Sequence, residues 1–341
     1  MRFLMPAERG LTVAVAIATI LVLTLSAVVM VPVFAQEIDT QVTIAAGGGT
    51  APKVKCKWEQ DLTPSLEDGD PTHAISGSQF LPPGVYQGKK TIQYFAVVTD
   101  AEDNGAVKLV WADVYHPDGS FKYEVPMSRI AKPPVEPVLA LFDAAAAAGL
   151  VHYGPGEDYN SVRFQLEKCV ADLWRGQADL DYHQPAGDYT VKVIAMDHND
   201  NLSPELVNTF LYVPVAVCEF DFCTVNYGSV SVCKEKWVAG DKDFGTANFP
   251  TVRNVGNIAC KIKIKQNDMG FGKDVTGTWN VKFDARLGSD PANGVYYNPE
   301  QEVILPNPLP NCNTEELDFS IHVIKGTGEH TGKMWLSCVP A

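Results

Sequence analysis

Apolar and polar residues alternate one by one along residues 258–265, with Ile258, Cys260, Ile262 and Ile264 set against Ala259, Lys261, Lys263 and Lys265. Only an extended strand, whose side chains point to opposite faces in turn, gathers such a series on one side. Leu317, Phe319, Ile321 and Val323 repeat the pattern against Asp318, Ser320 and His322, as do Trp279, Val281 and Phe283, and again Met334, Leu336 and Cys338. Residues 215–341 therefore read as all strand, with one face of each strand packed and the other wet. The stripe Lys261, Lys263 and Lys265 belongs on a wet face, where lysine keeps a strand soluble and blunts edge pairing.

Residues 51–214 read as strands interrupted by helix. Residues 91–99 are rich in β-formers, and Val107, Leu109, Trp111 and Tyr115 are expected on one face before Pro117-Asp118-Gly119 turns the chain into residues 121–125. Later, Tyr189, Val191, Val193 and Ala195 share a face, and a polar turn at 198–203 leads into 206–213. Between these groups, residues 137–148 read as a helix ended by Gly149. Val162, Leu166, Cys169 and Leu173 recur at helical spacing after it. Residues 144–148 are all alanine, a run of high helix propensity and small side chains that suits close packing against a flat partner.

Trp111 and Tyr189 resemble the core tryptophan and the strand-F tyrosine of immunoglobulin-like sandwiches. Asn254-Val255-Gly256-Asn257 resembles a turn in the Ig-like modules of secreted archaeal and bacterial surface proteins. The resemblance implies an exposed structural or binding module and carries no catalytic residue. The expected fold is mainly β: two Ig-like β-sandwiches, residues 51–214 with a helical insertion at about 133–180, and Cys-rich residues 215–341.

Residues 10–36 carry no charge, and Arg2 and Arg9 precede or open that stretch. Val33-Phe34-Ala35 supplies small residues where a signal peptidase reads, so residues 1–35 are expected to be a signal peptide, with an uncleaved signal anchor and prepilin-type processing after Arg9-Gly10 as alternatives. The cleaved and the anchored readings both put the remainder outside the cytoplasm, extracellular or at the cell surface. All eight cysteines, Cys56, Cys169, Cys218, Cys223, Cys233, Cys260, Cys312 and Cys338, follow the apolar segment, and no C-x-x-C motif is present. Disulfides in an oxidising compartment explain both facts better than zinc does. If every bond closes within its own domain, Cys56 pairs with Cys169, whereas the six later cysteines leave their connectivity open.

Residues 36–50 read as a leader strand and a Gly-rich linker, because Ile38, Val42 and Ile44 alternate with Asp39, Gln41 and Thr43 ahead of Gly47-Gly48-Gly49. Such a segment pairs within its own domain, stays a partly disordered leader, or completes the sheet of a neighbouring subunit by donor-strand exchange. Two loops offer oxygen ligands for calcium: Asp100, Glu102 and Asn104, where Trp111 stands in place of a closing bidentate Glu, and Asp197, Asn199 and Asp200, whose D-x-N-D-N pattern resembles the cadherin linker. Each also reads as a plain polar turn, and residues 67–70 form a third acidic loop.

Asp+Glu number 41 against 27 Lys+Arg, for a net charge of −14, which disfavours nucleic acid as a partner. The seven histidines are scattered, Asp181 and His183 suggest a turn-fixing pair, and neither a nucleophile elbow nor a nucleotide cradle is present. No cofactor is expected beyond calcium. The expected function is structural or adhesive and non-catalytic, with envelope proteins or further copies of this chain as partners, the membrane met only through the N-terminal segment, and an extracellular binding module for carbohydrate, peptide or calcium as the alternative.

Overall fold

The structure, a computed structural model, describes residues 49–61, 78–101, 106–132, 134–246 and 248–341. The apolar segment, the leader strand with Ile38, Val42 and Ile44, the loop at 67–70, and Glu102 and Asn104 lie outside the described residues. Among those described, no helix is long and apolar enough to cross a membrane. The described residues cluster as one compact unit.

The chain is mainly β and arranged in several sheets. Its first nine strands are β1 (Lys53–Asp61), β2 (Gln79–Phe80), β3 (Lys89–Thr99), β4 (Val107–Tyr115), β5 (Phe121–Arg129), β6 (His152–Tyr153), β7 (Asp172–Asp181), β8 (Gly187–Asp197) and β9 (Leu206–Tyr212). They follow the order β2-β9-β8-β4-β5-β7-β3-β1-β6. β5 turns the corner of this sheet, since residues up to Met127 pair with β4 whereas Ser128 and Arg129 pair with β7. At Gly176 on β7 a Cβ would lie 2.8 Å from the Pro126 carbonyl oxygen, so the corner has no room for a side chain. The two halves enclose a core of Ile92, Tyr94 and Ala96 from β3, Val110, Ala112 and Val114 from β4, and Tyr189, Val191 and Val193 from β8. The Tyr189 hydroxyl donates to the Pro185 carbonyl at 2.9 Å, tying the start of β8 to the turn before it.

Two helices, α1 (Glu136–Ala147) and α2 (Tyr159–Glu167), cover the far face of the β1-β3-β7 layer. Val138, Phe142 and Ala145 of α1 and Val162 and Leu166 of α2 pack on Cys56, Trp58, Phe95, Val97 and Leu173. With a core on each face, β3 is buried continuously from Ile92 to Val98 instead of alternating. The periodicity expected to run on to Leu173 stops at Glu167. Cys169 takes φ 57°, and Leu173 belongs to β7, which pairs with β3 along its length, so residues 172–180 are sheet and not helical insertion.

The face expected of β4 is also corrected. A register shift between Val107 and Leu109 leaves Leu109 50% exposed and turns Val110, Ala112 and Val114 inward. Trp111 is only half-buried. The tryptophans buried instead are Trp174 on β7 and Trp58, which stacks on Phe95 at 4.8 Å under Phe142.

The later strands are β10 (Cys218–Phe220), β11 (Glu235–Val238), β12 (Thr251–Asn254), β13 (Cys260–Gln266), β14 (Val281–Leu287), β15 (Val295–Tyr297), β16 (Glu302–Ile304), β17 (Thr314–Val323) and β18 (Met334–Pro340). One sheet runs β10-β12-β17-β14-β15, with β11 also on β17, and the other runs β16-β13-β18. Cys260, Ile262 and Ile264 face Phe283, Ala285, Phe319 and Ile321 across the core. The inward faces agree with the alternation, but the outward face of β17 is not wet. Asp318 and Ser320 are buried and satisfied there: Asp318 accepts from Arg286 at 2.7 Å and from the Gly240 amide at 2.7 Å, and Ser320 donates to Glu235.

Candidate functional site

In the sheet of three strands, β18 pairs with β13 alone, and in the facing sheet β10 pairs with β12 alone. Met334 and Leu336 point toward the core from β18 yet stay half-buried, as do Phe220 and Phe222 in and after β10. A groove of about 1110 Å³ lies along these residues, with Met269 and Phe271 further along its wall. At that wall His330 stacks on Phe271 at 3.7 Å, its two ring nitrogens each 3.3 Å from a carbonyl oxygen, of Met269 and of Thr327. Extended chain laid in this groove would meet apolar pockets on one side and an unsatisfied strand edge on the other.

A second surface lies on the opposite face of the larger sheet. Register places Trp237 of β11, Ser320 of β17, Asp284 of β14 and Tyr296 of β15 in one row across four strands. Trp237, Asp284 and Tyr296, with Glu235 and Arg286, line a depression of about 380 Å³. Ser320 donates to Glu235 at 2.9 Å, and the Arg286 guanidinium sits 4.7 Å from the Trp237 ring centroid. Asp284 is 3% exposed and its Oδ1 has no hydrogen-bond partner. Burial, then the neighbouring Glu235 charge, push its carboxyl above the usual range. The row was not foreseen, because its members are spread over four strands and come together only through strand pairing.

The residues singled out from sequence fall elsewhere. Asp197 is buried, and its carboxylate accepts from the Asn199 and Asn201 amides at 2.8 Å each and from the Asn201 side chain at 2.8 Å. Burial works to raise this carboxyl, and the Asn201 and Asn199 donors outweigh it and leave it low. Asp200 pairs with Lys108 at 2.7 Å, and Asn199 is exposed. The loop is thus closed by its own carboxylate. Asp100 is buried at the end of β3. No hydrogen bond joins Asp181 to His183; the Asp181 carbonyl accepts from Tyr212 at 3.3 Å and the His183 carbonyl from Asn311 at 3.0 Å. The lysine stripe is half-buried, Lys263 pairing with Glu302 and Lys265 with Glu300.

Cys56 lies buried under the helices, where burial pushes its thiol up, whereas Cys169 is exposed just after α2. Cys223, Cys233 and Cys312 are exposed, Cys312 with its sulfur 3.3 Å from the Tyr182 hydroxyl. Cys218, Cys260 and Cys338 come together, their sulfurs all within 4.8 Å of one another.

No protein-family model matches the chain, and no curated protein matches it. Among solved structures it is similar to the C-terminal domain of the Streptococcus agalactiae AgI/II polypeptide BspA, at 10% identity over 85% of this chain and 100% of that one, with TM-score 0.21. A chaperone-tip adhesin complex of CFA/I fimbriae biogenesis is similar at 9% identity over 84% of each chain, with TM-score 0.27.

Proposed function

We propose that this chain is an exported cell-surface protein with a structural or adhesive, non-catalytic role, built from two Ig-like sandwiches that meet near residue 214, the first carrying the two helices as an insertion. The Tyr189 hydroxyl bond to Pro185 supports the Ig-like reading, since sandwiches of that type anchor a strand by the same device. The observation that carries the functional reading is the groove between two strand edges that each have one neighbour. Its occupant in this reading is the leader strand of a second copy. Residues 38–44 match the seven residues of β18 in length and place Ile38, Val42 and Ile44 on one side.

Deleting residues 36–46, and separately replacing Leu336 with Lys, tests the reading by light scattering and electron microscopy of the exported protein. Loss of association in both variants, with unchanged far-ultraviolet circular dichroism, is the expected result. Association that persists in both, or a wild-type protein that stays monomeric at all concentrations, overturns it.

A second reading, a carbohydrate-binding module, is favoured by the row Trp237, Ser320, Asp284 and Tyr296. Aromatic rings at the two ends would stack on sugar faces, and the Glu235 and Asp284 carboxylates would accept hydroxyl protons. Glycan-array binding that disappears in Trp237→Ala and Tyr296→Ala supports this reading; an array without signal rejects it. Calcium at the Asp197 turn is a further proposal, checked by calorimetric titration of the wild type and Asp197→Ala, where absence of heat in the wild type removes it.

A further inference from the structure

The Sγ atoms of Cys218 and Cys260 approach to 3.1 Å, and Cys338 completes a cluster within 4.8 Å. Cys218 comes from β10 in one sheet, and Cys260 and Cys338 come from β13 and β18 in the other. Across β13 and β18, Cys260 stands opposite Pro340 and Cys338 opposite Ile262, so the two cysteines are diagonal neighbours. Diagonal positions in antiparallel pairs hold their Cα atoms about 7–8 Å apart. A disulfide spans roughly 4.4–6.8 Å between Cα atoms. Cys260 and Cys338 are therefore badly placed to bond each other, and Cys218 reaches in from the facing sheet.

We propose that Cys218 is the hub of a three-sulfur exchange site: it forms an inter-sheet disulfide with Cys260, and the Cys338 thiol beside it competes for the same sulfur. Forming the bond removes two protons and two electrons from the Cys218 and Cys260 thiols. A small disulfide such as oxidised glutathione accepts them and is reduced to two thiols. In the exchange step the Cys338 thiolate attacks Cys218 Sγ, a new sulfur–sulfur bond forms, the bond to Cys260 breaks, and Cys260 leaves as the thiolate and takes up the proton. No net oxidation accompanies that step. Cys260 is fully buried whereas Cys218 and Cys338 are half-buried, so an outside oxidant or thiol reaches the hub and the competitor first. Exchange moves the tie from β13, which has two neighbours, to β18, the edge strand beside the groove. This assignment stands apart from the surface reading above, because it needs only a defined redox buffer.

The test equilibrates the full reduced chain in a glutathione buffer, quenches with acid, alkylates free thiols with N-ethylmaleimide and maps the bonds by mass spectrometry. The expected wild-type result is Cys218 bonded to Cys260 with Cys338 alkylated. Cys260→Ser is expected to give Cys218 bonded to Cys338, and Cys218→Ser to leave Cys260 and Cys338 both alkylated. A Cys260–Cys338 bond in Cys218→Ser overturns the hub. So does a wild type in which all three thiols are alkylated while other cysteines are bonded. Retention of one zinc or copper ion per chain by three reduced thiols overturns it as well. The Cys260→Ser map keeps the proposal testable if Cys218→Ser does not fold.

Discussion

At Gly256 the backbone of one turn lies against the connector at 213–217, and a Cβ there would stand 2.2 Å from the Val215 carbonyl oxygen. Beside it, Asn257 accepts from the Val215 amide at 2.7 Å and donates to the Val213 carbonyl at 3.0 Å. Gly256→Ala is expected to destabilise by about 1–3 kcal/mol through overpacking. Asn257→Ala is expected to lose about 2 kcal/mol through two hydrogen bonds; urea melts of both variants check this. Deeper in, Lys57 and Glu59 are wholly buried 3.0 Å apart, with the Lys57 ammonium donating to the Val191 carbonyl at 2.8 Å and Asn208 donating to Glu59 at 2.7 Å. Burial pulls the Lys57 ammonium below its usual range, against the pull of Glu59. Lys57→Met alone is expected to cost about 3–5 kcal/mol by stranding a carboxylate, and Lys57→Met with Glu59→Leu to recover most of it. Equal losses in the single and double variants would refute this account.

Elements here are defined by what covers them. Helix α2 begins at an Asp158 cap that accepts from the Ser161 amide at 2.7 Å, and just ahead of it Glu157 binds Lys53 at 2.8 Å and Lys55 at 3.0 Å on β1. Burial works to raise the Glu157 carboxyl, but the hydrogen bonds and charges of Lys53 and Lys55 outweigh it and hold it below the usual range. A carboxyl lowered by folding stabilises above its unfolded pKa and loses that contribution as pH falls through the folded one. The Tm difference between wild type and Glu157→Gln is thus expected to be full at pH 7 and to close on acidification below about pH 4.5. A difference that is constant with pH would rule out this role. Helix α1 and strands β8 and β13 were legible from sequence because each carries one periodicity with one buried side. The face of β4 was not, since a single extra residue at a bulge reverses which side chains point in. The end of α2 was misread because Leu173 lies on a strand whose burial mimics helical spacing.

Over the whole molecule, the two groups of strands share no sheet and are joined by a few polar clasps. The Arg253 guanidinium lies 3.9 Å from the Tyr86 ring centroid and 3.7 Å from that of Phe244, and its Nε donates to Glu219 at 2.7 Å, while Glu219 also accepts from the Tyr86 amide at 3.3 Å. Calorimetry of the wild type is expected to show one transition, and Arg253→Ala to separate it into two; two transitions already in the wild type would refute the coupling. Alternation of side chains by itself determined the β character, the inward faces of β8, β13 and β17, and the helix over most of 137–148, because local periodicity and burial follow from the same backbone geometry. Tertiary structure alone decided that β5 turns a corner, that helices bury a second face of one layer, that three sulfurs from two sheets meet, and that four side chains from four strands form one row. Each of those depends on contacts between residues far apart in the chain, and a local pattern carries no information about which distant partner a strand edge or a side chain will find.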